Sequence, residues 1–189
     1  MKTVKVLLAA IALTIGLGVQ AQTQKVDTSK SEITWLGKKV GGEHNGTIQV
    51  KSGELTIDGN AITAGEFVVD MTSIKNLDLT DPEWNGKLVG HLKSDDFFGV
   101  ETYPTAKLVI TQKATFTGGK ATVTGNLSIK AATHPVTFEV VKDGKTYTAD
   151  ITVDRSKYDV RYGSKSFFDD LGDKFIYDDF RLGVTLVTE

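Results

Sequence analysis

Apolar side chains occupy every second position in segment after segment of this chain, and the fold class follows from that period. The runs are Ile33/Trp35, Leu55/Ile57, Phe67/Val69/Met71, Val136/Phe138/Val140, Tyr147/Ala149/Ile151/Val153 and Leu182/Val184/Leu186, with Val123, Leu127 and Ile129 keeping the same parity. Thr, Ser, Lys, Glu and Asp fill the positions between them. Successive residues of a strand point to opposite faces, so this alternation predicts antiparallel strands with one buried face and one wet face. Asp58-Gly59, Gly118-Gly119 and Asp143-Gly144 each separate two such runs. A tight reversal needs the positive φ that Gly supplies, so a hairpin is expected at each. The chain reads as all-β.

One segment breaks the alternation. Trp84, Leu88 and Leu92 fall four apart behind Asp81-Pro82, which predicts a short helix over 82–93 with Asp81 as cap and Pro82 in the first turn. Gly86 and Gly90 weaken it. Its apolar stripe needs a surface, and the end of the β-structure is the available one. Roughly eight strands suit a closed barrel, whose interior at that size either fills with side chains or holds one ligand. A two-sheet sandwich uses the same strands, and periodicity does not choose between them.

Lys2 and Lys5 precede an apolar run, Val6 to Val19, that ends in Val19-Gln20-Ala21. This reads as a secretory signal over 1–21, cut after Ala21, with a single domain over 22–189. The run is shorter than the about 20 apolar residues that a membrane span needs, and no second one follows. The 189 residues include no cysteine, which excludes a disulfide framework and a thiol nucleophile and suits a periplasmic or secreted protein. Net charge is -2 before the two leader lysines are removed, which argues against nucleic acid and against docking on an anionic membrane.

Little in the chain asks for catalysis. His44, His91 and His134 lack metal-site spacing to one another, so no metal is expected. Asp95-Asp96, Asp169-Asp170 and Asp178-Asp179 are adjacent carboxylates of the kind that cap turns. No nucleophile elbow, phosphate loop or dinucleotide fingerprint occurs. A hydrolase would require His91 to share a hydrogen bond with a carboxylate in a cleft. The abundant feature is apolar and aromatic surface, which serves either as core or as the wall of a cavity.

Gly90-His91-Leu92-Lys93-Ser94-Asp95-Asp96-Phe97-Phe98, then Tyr103-Pro104 and Gly125-Asn126-Leu127-Ser128-Ile129-Lys130, resemble in order and spacing the signature of the YceI-like family. The likeness extends from Trp35 through His44-Asn45-Gly46 and Asp70-Met71-Thr72-Ser73-Ile74 to Arg155. It implies an eight-stranded, antiparallel, lipocalin-like barrel that encloses a polyisoprenoid lipid or isoprenoid quinone in the periplasm, as carrier or reservoir. The alternative is a filled barrel serving as a protein-interaction or stress-related module. Beyond the lipid it implies no cofactor, and it brings a homodimer as a further expectation. The Gly-x-Trp of ordinary lipocalins is absent, since Trp35 follows Ile33-Thr34. Carried over by position, His91, Lys93, Asp95 and Phe98 belong beside the cavity mouth. Trp35, Phe67, Val69, Trp84, Leu88, Leu127, Phe138 and Tyr158 complete the candidate ligand-binding set. Two departures stand out. Lys130-Ala131-Ala132-Thr133 replaces a Gly-containing turn, so a wider hairpin without positive φ is expected there, and Asp159 follows Arg155-Ser156-Lys157-Tyr158 where the family tends to have Gly.

Overall fold

The alternating runs become the strands of a computed structural model that describes residues 20–189. In chain order they are β1 (Gln22–Lys25), β2 (Glu32–Lys39), β3 (Gly42–Asp58), β4 (Ala61–Asn76), α1 (Pro82–Lys93), β5 (Thr105–Ile110), β6 (Ala114–Thr115), β7 (Lys120–Ile129), β8 (Ala132–Asp143), β9 (Thr146–Asp154) and β10 (Ile176–Val187). The expected signal over 1–21 lies outside the described residues save Gln20 and Ala21, and β1 begins directly after the expected cut.

All pairings are antiparallel, in the order β3-β2-β10-β9-β8-β7-β5-β4, and β4 pairs back onto β3. The sheet is therefore a closed ring of eight strands, which decides for the barrel over the sandwich. Short β1 and β6 add to the outer lengths of β3 and β4. β3 and β4 run 17 and 16 residues, and register shifts at Thr47/Gln49, Val50/Ser52 and Thr56/Ile57 let them bend around the ring.

The three Gly-containing reversals are tight, with Gly59, Gly118, Gly119 and Gly144 all at positive φ. The wider hairpin expected after Ile129 is not found. Ile129 pairs directly with Ala132 across a two-residue turn, and Lys130 itself takes φ +53. Asp159 does the same at φ +58. In both places the left-handed conformation is kept although the residue is not Gly, because flanking structure imposes it.

The helix forms over the predicted residues. Asp81 Oδ1 accepts from Glu83 N at 2.8 Å and Trp84 N at 3.2 Å. Asn85 Nδ2 donates to Leu79 O at 2.9 Å and to both oxygens of Asn76, which ties the first turn to the end of β4. Lys93 Nζ donates to Thr72 O at 2.7 Å and ties down the last turn.

Beside α1, the segment between β9 and β10 is held by one buried charge. Arg155 is 2% exposed. Its Nη1 donates to Val160 O at 2.8 Å and Tyr162 O at 2.9 Å, Nη2 to Ile176 O at 3.0 Å and Nε to Tyr177 O at 3.2 Å. Asp178 lies 3.3 Å from Nη2. Burial pulls the guanidinium below its ordinary pKa while Asp178 and Asp154 push back. A planar, five-donor cation is the side chain that satisfies several carbonyls at once.

Arg155→Met should therefore cost about 3 kcal/mol or more, because carbonyls are left buried without donors, and urea unfolding will read it. Lys130→Gly should raise stability by about 0.5 kcal/mol by relieving the left-handed φ. A lowered urea midpoint would instead mean that the Lys130 Nζ bond to Asp159 O, 3.0 Å long, outweighs the backbone gain.

Candidate functional site

The inward faces of the ring do not meet in the middle. A cavity of about 410 Å³ opens at the α1 end of the barrel. Its walls are Ile33 and Trp35 of β2, Ile48 of β3, Val69 and Met71 of β4, Leu127 and Ile129 of β7, and Phe180 and Leu182 of β10. Leu88, His91 and Leu92 of α1, with Phe97 and Phe98 just after it, complete the enclosure. A deeper compartment of about 110 Å³ shares Ile33, Val69, Leu127 and Leu182 with the first and adds Phe67, Phe138, Tyr147, Ile151, Val184 and Leu186. Phe138, Leu182, Val184 and Leu186 face inward yet are only half-buried, since the space before them is empty. An apolar void of this kind stays dry and favours an apolar guest.

A separate concavity of about 330 Å³ lies on the outer face of β2, β10, β9 and β8 and is lined by Glu32, Thr34, Glu139 and Asp150. Its polar wall suits water rather than lipid.

Trp35 owes its place to Gly46, the cross-strand partner. A Cβ at Gly46 would meet the Trp35 ring at 2.7 Å and collide with Lys75 O. The indole lies flat over this glycine and its Nε1 donates to Lys75 O at 3.1 Å. His44 also lines the mouth, with Nδ1 2.7 Å from Asp78 Oδ2. Burial alone would raise the Asp78 carboxyl, but hydrogen bonds from Asn45 N–H, His44 and Asn76 outweigh it and hold it below the usual range. His91 Nε2, by contrast, is buried and has no hydrogen-bond partner among the described residues. The His91 ring meets Tyr162 edge-on at 4.3 Å and Phe97 at 5.7 Å. Among the described residues, His91 has no hydrogen bond to a carboxylate of the kind a hydrolase reading requires, and neither Ser nor Cys lines the larger cavity.

Eight candidate residues border the two compartments: Trp35, Phe67, Val69, Leu88, His91, Phe98, Leu127 and Phe138. Four do not. Trp84 is 61% exposed, with Lys87 Nζ 4.5 Å from its ring; it lies one turn before Leu88 on nearly the same helical face, but the cavity wall reaches only Leu88, His91 and Leu92 of α1. Lys93 spends its amine on Thr72 O, and Asp95 lies exposed on the turn after α1. Tyr158 is 1% exposed, packed edge-on against His134 as part of the core, and borders neither compartment.

Several mouth residues were not anticipated: Lys38, Lys39, Lys174, Arg155, Tyr162 and Tyr177. Arg155 carried a signal, being part of the family likeness, but its burial did not show in a charged residue at a strand end. Around the opening, Tyr162, Phe167, Phe168 and Tyr177 remain exposed.

A family model described as the YceI-like domain matches residues 24–188. A UPF0312 protein of Shewanella denitrificans is 31% identical over 87 residues, 46% of this chain and 43% of that one, so the match spans less than half of the relative's length. Among solved structures, BcnA of Burkholderia cenocepacia aligns over 87% of this chain and 99% of its own, with 26% identity and a TM-score of 0.63. A polyisoprenoid binding domain from Saccharophagus degradans, implicated in plant cell wall breakdown, aligns over 88% and 97% with a TM-score of 0.61, and at 13% identity it speaks for the fold alone. A closed eight-stranded barrel, the α1 insert over its mouth and a family match across nearly all the described residues converge on one assignment: the chain belongs to the YceI-like family.

Proposed function

We propose that this protein is an exported, periplasmic binding protein that holds a long-chain polyisoprenoid, or an isoprenoid quinone, in its lumen as a carrier or reservoir. The observation that carries the reading is the hollow lumen. Phe138, Leu182 and Val184 border the compartment of about 110 Å³, and Leu182 with Trp35, Leu88 and Phe180 borders the one of about 410 Å³. Ligand sites commonly measure about 300–1,000 Å³, mostly apolar with a few polar groups at fixed points, and the larger compartment falls in that range.

Each methylene drawn from water gains about 0.8 kcal/mol, so a long tail is held firmly against aqueous loss. A bilayer offers the same tail an equally dry place. The lumen and the membrane are therefore near parity for the tail, which is what a carrier needs in order both to load and to release. The fold shared with a polyisoprenoid binding domain supports the choice of ligand class. The filled-barrel alternative required a packed interior, and the cavity weighs against it.

Expressed with its own leader in a bacterial periplasm, the protein is expected to carry a prenyl chain that survives native mass spectrometry and is released by organic extraction. A mass equal to the bare polypeptide, unchanged after incubation with quinones and polyprenols, would refute the carrier reading.

A further inference from the structure

We infer that the mouth of the lumen is an anionic head-group site, so that the preferred guest is a long-chain lipid ending in phosphate rather than a neutral quinone. This rests on the lumen being the lipid site and adds which end group the protein selects.

Lys38 and Lys39 at the end of β2, Lys174 just before β10 and the buried Arg155 all line the larger cavity, as do the imidazoles of His44 and His91. No Asp or Glu is among its lining residues. In a chain with 24 acidic and 22 basic residues, a carboxylate-free wall with four cations is a local reversal of charge. Three carboxylates pair with groups of this wall. Glu43 lies 3.6 Å from Lys38, Asp78 is 2.7 Å from His44 and Asp178 is 3.3 Å from Arg155. Lys39 and Lys174 have no ion-pair partner among the described residues.

A second observation points to the same place. His91 Nε2 is a buried polar atom without a partner, and buried nitrogens are rarely left so. The rings of Phe97 and Tyr162 pack against the imidazole, and Tyr162 is 48% exposed at the opening. A head-group oxygen entering there supplies the missing partner. Arg155 has committed its donors to backbone carbonyls, so it contributes field rather than contact.

A phosphate monoester carries about -1.5 to -2 charge at neutral pH and several acceptor oxygens, enough to engage Lys39, Lys174 and His91 together. A quinone head offers only neutral carbonyls and leaves both lysines to water. The tail anchors in the apolar compartments, which is why a free phosphate ion is not the proposed ligand.

The test compares geranylgeranyl phosphate, geranylgeraniol and inorganic phosphate on the mature chain by quenching of Trp35 fluorescence in a Trp84→Phe background, at low and high salt. The phosphate lipid is expected to bind about tenfold tighter than the alcohol at low salt, with the ratio shrinking as salt screens the lysines. In Lys39→Ala/Lys174→Ala the ratio should fall towards one. Equal affinities for the two lipids at low salt would overturn the head-group inference and leave the lumen reading standing. Displacement of the lipid by equimolar inorganic phosphate would assign the site to the free ion and overturn it as well. Failure of both lipids to bind would overturn the inference and the lumen reading together.

Discussion

Pairing of β3 with β4 turns an open sheet into a ring, and the empty interior depends on it. An open sheet of these strands would leave two unpaired edges and an apolar face that could only collapse onto another surface. Closure satisfies the backbone of each strand on both sides, so the inner face need not be filled to be stable. The bulges in β3 and β4 let the two longest strands bend around the ring and complete it.

The two ends of the lumen then differ in chemistry. Deep inside, the wall is almost wholly apolar, from Phe67 and Phe138 to Leu186. At the α1 end, polar networks gather. Asn85 anchors the helix to Asn76, Asp78 joins His44 to the backbone of Asn45, and Arg155 gathers the carbonyls of Val160, Tyr162, Ile176 and Tyr177. Arg155 is an expensive choice, since a buried guanidinium must find acceptors for nearly all its donors. Its return is a fixed loop beside the opening, with Tyr162 placed against His91. An apolar depth under a polar, cationic mouth is the shape of a site for an amphiphile that enters tail first.

Much of this was legible because it is local. Period 2 marked inward positions on nearly every strand, two Asp-Gly pairs and one Gly-Gly pair marked three hairpins, and Asp81-Pro82 with Leu88 and Leu92 marked the helix and its inner stripe. What was hidden depends on distant neighbours. Trp84 and Leu88 lie one turn apart on nearly the same face of α1, and only the docking of α1 decides that the cavity wall reaches Leu88 while Trp84 stays exposed. Lys130 and Asp159 adopt a left-handed backbone that their identities disfavour, a demand set by the strands and turns they join. Ring closure was supplied by family likeness, because alternation is the same in a barrel and a sandwich. The lysines of the mouth looked like ordinary surface charge, and only the shared cavity wall brings them together.

A guest held as proposed lies inside the ring, across the junction of its two compartments. Leu127 borders both, and Trp at that position would plug the passage. The decisive measurement is the affinity of folded Leu127→Trp for geranylgeraniol, beside Trp84→Ala, which changes an exposed side chain that lines neither compartment. A loss of about tenfold or more in Leu127→Trp, with Trp84→Ala binding like the unmodified protein, is the predicted result. Equal binding by both variants would place the lipid outside the lumen and contradict the account.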